Sequence, residues 1–179
     1  EGAGPARQFA EEALAGLFAV LLLVTALAQI AMPLLILGLA PGFTSDPAKL
    51  DLATALTRIT FPYLLCMSLV ALLSGLLNSL HRFIAAAAAP ILLNVVLIAV
   101  MLVAHAHGLH NNSAAGYLLA WGVATAGTLQ LALLWLAARR AGFGLRLRAP
   151  RMSDGVRRLI TLGIPGVVAG GITQINIVV

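Results

Sequence analysis

Five stretches of this chain run for about 20 residues or more with almost no charge. They are residues 14–38, 52–80, 84–104, 114–138 and 159–179. A hydrocarbon layer about 30 Å thick accepts roughly 20 helical residues at a rise of about 1.5 Å each, so every run is long enough to cross it. None shows the period-2 alternation of a barrel strand. A bilayer admits only helices or closed barrels, so the pattern predicts an all-α polytopic membrane protein, a helical bundle in lipid. Small residues recur at helix-packing spacing, with Gly75 and Ser79, Gly116, Ala120 and Ala124, and Gly166 and Gly170 each four apart. Such spacing lets helices approach closely where apolar burial does not drive association.

Composition agrees. Of the 179 residues 61% are hydrophobic and 9% charged, where a soluble domain carries about a quarter charged. The single cysteine, Cys66, excludes an internal disulfide and a cysteine-based metal site. The opening EGAGPARQFAEEA is polar and does not read as a signal peptide. Neither end reads as a natural terminus, so the expectation is an internal stretch of a longer membrane protein.

Charge then orients the runs. Residues 139–158 hold seven arginines against one acid, Asp154, and basic connections stay cytoplasmic. Alternation puts the N-terminal segment and the turn carrying Arg82 on that same side, and residues 40–51 and 105–113 on the other. The net charge of +5 is then mostly a topology signal, and nucleic acid is not an expected partner. Ser153 is a candidate N-cap for a short surface helix leading into the last run. The six acids all fall outside the apolar runs, which leaves no carboxylate for a proton relay within them. No nucleophile elbow or phosphate-cradling glycine loop is present, and an enzyme is not expected.

The interruptions of the apolar pattern are the candidate functional residues. Arg58 is six residues inside its run and either snorkels to the interface or faces a water-filled cavity. Pro62 lacks an N–H and leaves the carbonyl of Arg58 without its helical partner. Asn78 and Arg82, four apart, are read as sharing a helix face, either as a helix stop or as a receiver for an anionic head group. Pro90 opens the third run at Ala86. Asn94 and Gln130 either bond to neighbouring helices or line a cavity. In the last run Pro165 and its glycines make a bendable segment carrying Gln174 and Asn176. His105, His107 and His110 form a loop cluster without the fixed geometry of a metal site, and no metal is expected.

Several short motifs occur in one order: APGF at 40–43, ITFPY at 59–63, LLN-x-x-x-RF at 76–83, AP-x-LLN at 89–94 and GIP…TQI at 163–175. In that series the chain resembles the MurJ/MviN family of bacterial lipid II flippases, within the multidrug/oligosaccharidyl-lipid/polysaccharide (MOP) exporter superfamily. The resemblance implies a MOP-type transporter of about fourteen spans in two lobes around a central cavity, with this chain matching the third to seventh spans. Residues 1–158 would then be four spans of the N-terminal lobe with their loops, and 159–179 the start of the span leading to the C-terminal lobe.

The implied activity is transfer of lipid II, an undecaprenyl-diphosphate-linked muropeptide, to the outer leaflet of the cytoplasmic membrane by alternating access. Implied partners are lipid II, membrane lipids and cell-wall synthesis proteins. The family's main basic cavity residues fall in spans outside this chain. Cofactors are not implied, and any coupling to membrane potential or a monovalent cation is placed outside this stretch, since Gln174 and Asn176 are not carboxylates. An exporter of another lipid-linked glycan, a cation-coupled drug antiporter and a non-transporting scaffold for cell-wall assembly remain as alternatives.

Overall fold

A computed structural model describes residues 3–40, 42, 46–109, 112–143, 157 and 161, with side chains from Arg7 onward. Five helices follow in order: α1 Ala3–Leu39, α2 Pro47–Thr60, α3 Pro62–Ser79, α4 Phe83–Ala106 and α5 Ser113–Arg140. Four spans are long and apolar enough to cross a membrane, because α2 and α3 together make one of 33 residues. The chain is therefore a multi-pass helical membrane protein. The last run, 159–179, lies outside the described residues apart from Thr161, and so do residues 144–156.

Two boundaries differ from the sequence pattern. Hydropathy starts the first span at 14, whereas α1 begins at Ala3 and takes in Glu11 and Glu12. Helix continuity carries the polar opening into the span because Arg7 Nε donates to Glu11 Oε1 at 3.2 Å one turn on, and Gln8 Nε2 donates to Glu12 Oε1 at 3.0 Å. The membrane-length spans Arg7–Leu39 and Pro47–Ser79 contain Glu11, Glu12 and Asp51, so the expectation that acids stay outside the spans fails at these three residues. The second run, expected as one helix from 52, begins five residues earlier, at Pro47, and breaks at Phe61.

Each helix end has a local chemical cause. Asp46 Oδ1 accepts from Lys49 N at 3.2 Å and caps α2, with Pro47 in its first turn. The hydrogen bond from the Lys49 side chain holds the Asp46 carboxyl below its usual range, so this cap is intact above the ordinary carboxylate pKa and is lost as acid protonates it. Asn112 caps α5 through Ala115 N. Three helices end in Schellman turns. After α3, Arg82 N donates to Leu77 O and His81 N to Asn78 O. The α4 and α5 ends repeat this with Gly108 and Gly142 at positive φ, but α3 places His81 there, at φ 58°. Asn78 therefore ends one helix and Arg82 caps the next. The expected shared helix face is replaced by a reversal of the chain.

The chain divides into two compact units, one containing Glu1–Ala19 and the other comprising Val20–Gly144. Within the second, α5 packs against α2, α3 and α4. It does so along small residues: Gly122, Ala126, Gln130, Leu134 and Ala138, each four apart, are all buried. A β-carbon placed on Gly127 would lie 2.6 Å from Tyr63 Cδ2 and 3.3 Å from Cys66 Cβ, and one on Gly122 would lie 3.0 Å from Val100 Cγ2. Among the described residues the expected small-residue contact at Gly75 is not made, since Gly75 and Ser79 are exposed and Gly75 has open space around it.

Gly127→Ala is expected to lower stability by about 1–3 kcal/mol, because the Tyr63 ring must move or strain. Thermal unfolding of the full-length protein in detergent measures this, and an unchanged midpoint would show that α3 and α5 are not closely packed there.

Candidate functional site

Two prolines set up the site. In a helix the N–H of residue i bonds the carbonyl of residue i−4, so Pro33 leaves Gln29 O without a donor and Pro62 leaves Arg58 O without one. Each vacancy is filled by the other residue's side chain. Gln29 Nε2 donates to Arg58 O at 2.7 Å, and Arg58 Nε donates to Gln29 O at 3.3 Å. The result is a reciprocal clasp between α1 and the last turn of α2, one turn before each proline.

The clasp bears on the setting of Arg58. From Leu52, where the apolar run begins, Arg58 is only about 9 Å along the axis, but from the start of α2 at Pro47 it is about 17 Å. Its side chain is bonded to α1 through Gln29 O. The residue is exposed while Gln29 is half-buried, and the two terminal guanidinium nitrogens make no hydrogen bond among the described residues. Such a group is a planar cationic fork held by one donor with the rest free, which suits phosphate or carboxylate oxygens.

Beside the clasp is an apolar cleft of about 510 Å³. Ala28, Met32 and Leu35 of α1 line one wall, and Thr57 and Phe61 line the other. Ala28 and Thr57 immediately precede the two clasp residues in sequence, so charge and apolar space adjoin.

The other candidates are dispersed. Gln130 is fully buried, and its Nε2 donates to Ala89 O on α4 at 2.6 Å, the interhelical bond expected of it. Its Oε1, like Thr54 Oγ1, is buried without a partner among the described residues. Asn94 and Pro90 lie on the exposed face of α4, and the Asn94 amide makes no hydrogen bond among the described residues. An interhelical role for Asn94 is thus not seen there, because the helix turns its Ala89 side, and not its Pro90 and Asn94 side, toward α5. Asn78 and Arg82 are exposed at the α3–α4 turn, away in sequence from the clasp. His105 and His107 end α4. No group of three metal-ligating side chains occurs among the described residues. Pro165, Gln174, Asn176 and His110 lie outside the described residues.

Sequence reading missed Gln29 and Pro33. The signal was available, since the i−4 rule that led from Pro62 to Arg58 leads equally from Pro33 to Gln29, an amide inside an apolar run.

Four membrane-length spans, one of them broken beside a cation, define a multi-pass membrane protein with the interrupted-helix construction common in transporters. The chain belongs to the MurJ family, described as lipid II flippase MurJ, whose pattern matches residues 3–179. It is 48% identical to "Probable lipid II flippase MurJ" of Rhizobium meliloti (strain 1021) and of Rhizobium tropici, each over 179 residues, covering 99% of this chain and 33% of the relative. It is 34% identical over 149 residues to "Lipid II flippase MurJ" of Burkholderia cenocepacia, covering 80% of this chain and 28% of that one. The chain thus spans about a third of the length of these relatives.

Gln29→Ala strands the Arg58 carbonyl and is expected to cost about 1–2 kcal/mol, whereas in a Pro62→Ala background the restored N–H at 62 should remove most of that cost. A double-mutant cycle on unfolding measures the coupling. Additive effects would show that Gln29 does not serve the carbonyl freed by Pro62.

Proposed function

We propose that this chain is part of the N-terminal lobe of a transporter that flips lipid II from the inner to the outer leaflet of the bacterial cytoplasmic membrane. The carrying observation is Arg58, a guanidinium with unengaged terminal nitrogens on a helix broken by Pro62, in a chain of the MurJ family. A diphosphate-linked substrate crossing a hydrocarbon layer needs cationic donors inside the bundle to replace water. Arg58 supplies one such group, and broken helices supply the movable segments of alternating access.

The seven arginines of residues 139–158 support a cytoplasmic location for that connection. Asn78 and Arg82 then sit at the cytoplasmic turn, where they meet head groups before entry. Any coupling to membrane potential or a cation belongs to other parts of the transporter. Lipid II is the partner this reading requires, alongside membrane lipids. Proteins of cell-wall synthesis are the natural neighbours of such an activity.

In the full-length protein, wild type is expected to restore growth when the native lipid II flippase is depleted, and Arg58→Ala to reduce lipid II exposure on spheroplasts about tenfold with membrane insertion intact. Unchanged exposure would remove Arg58 from the mechanism. Failure of wild type to restore growth would favour an exporter of another lipid-linked glycan, a drug antiporter or a scaffold.

A further inference from the structure

We propose that Gln29 and Pro33 are positioning residues for Arg58: together they hold its guanidinium so that the two terminal nitrogens face one phosphate group. This rests on the anion-binding role of Arg58 given above.

Arg58 is tied at both ends. Its backbone carbonyl is held by the Gln29 amide at 2.7 Å, and its side chain is held at Nε by the Gln29 carbonyl at 3.3 Å. The second bond exists because Pro33 has no N–H to offer that carbonyl. With Nε occupied, the side chain has given up part of its rotamer freedom before any ligand arrives, and its two terminal nitrogens remain as an unengaged pair on an exposed residue. A lysine in this place would have to choose, since one ammonium cannot reach back to the Gln29 carbonyl and also present a fixed planar pair to an anion.

The chemistry of the surroundings narrows the ligand. The cleft of about 510 Å³ shares Ala28 and Thr57 with the immediate neighbours of the clasp, so a phosphate on Arg58 has apolar space beside it. A phosphate carried on an isoprenoid chain fits both features, and a free phosphate fits one.

The test uses the full-length protein in detergent micelles with three probes: a polyprenyl diphosphate, inorganic diphosphate and the uncharged polyprenol. Pro33→Ala returns an N–H to Gln29 O and releases the Arg58 side chain. Gln29→Leu releases the Arg58 backbone. Both are expected to weaken polyprenyl diphosphate binding about tenfold while leaving polyprenol binding unchanged. Pro33→Ala should do so with an unfolding midpoint equal to or above wild type, which a purely structural role would not produce.

Arg58→Lys should bind as weakly as Arg58→Ala. An equal loss for inorganic diphosphate assigns the contact to the phosphate alone, and a loss confined to the polyprenyl form assigns it to a lipid head group; either supports the proposal. If Arg58→Ala weakens binding but Pro33→Ala and Gln29→Leu bind as wild type, the positioning proposal is overturned and the role of Arg58 stands. Wild-type binding by all of these variants overturns both.

Discussion

A proline inside a membrane-spanning helix removes a donor where no water can replace it. In hydrocarbon every backbone carbonyl must find a partner within the protein, and an orphan costs several kcal/mol. Pro33 and Pro62 create two such vacancies, on different helices, and the chain resolves them against each other through Gln29 and Arg58. Two defects that would each weaken an isolated helix thereby become the polar contact that joins α1 to α2. A break at Phe61 is consequently tolerable. Without Pro62, α2 and α3 could run on as one helix, and the Arg58 carbonyl would be satisfied within it.

The same logic recurs in the packing of α5. Small residues at intervals of four bring this helix close enough to α3 that Gly127 has no room for a β-carbon beside Tyr63. Close approach also brings Gln130 within 2.6 Å of the Ala89 carbonyl, next to Pro90. Gln29 and Gln130 therefore both end on backbone oxygens in or beside proline-disturbed turns. Where lipid offers no hydrophobic gain from bringing helices together, tight contact and such bonds are what remain to hold the bundle. Leu134, Leu73 and Leu77, all fully buried, fill the space between.

The spans were legible because length and the absence of charge are properties of the sequence itself. The carbonyl freed by Pro62 was legible too, because the i−4 rule is local. Its partner was not located, since which of the polar residues in other spans reaches Arg58 depends on how α1 lies against α2. The helix stop expected at Asn78 and Arg82 was legible, but their shared face was not, for a local reason: His81 is not glycine, so nothing in the sequence marks the left-handed residue that ends α3. The reading of Gly75 failed because small residues at packing spacing state only that approach is possible. The face that carries Asn94 was set by rotation, since its place on α4 depends on which side Ala89 turns to α5.

The clasp is also unequal. The amide of Gln29 meets the Arg58 carbonyl at 2.7 Å, inside the usual range for an N–H donor, while Arg58 Nε meets the Gln29 carbonyl at a long 3.3 Å. The shorter bond ties backbone to a half-buried side chain and keeps the two helices together. The longer one fixes an exposed, charged side chain at Nε, and its terminal nitrogens are left for an acceptor stronger than a neutral carbonyl. On the proposed anion-binding role of Arg58, a phosphate meets the two terminal nitrogens, which neither bond uses, and leaves both bonds intact. The helices then stay joined at their kinks while the terminal nitrogens take and release an anion, which separates a fixed scaffold from a transferable charge contact.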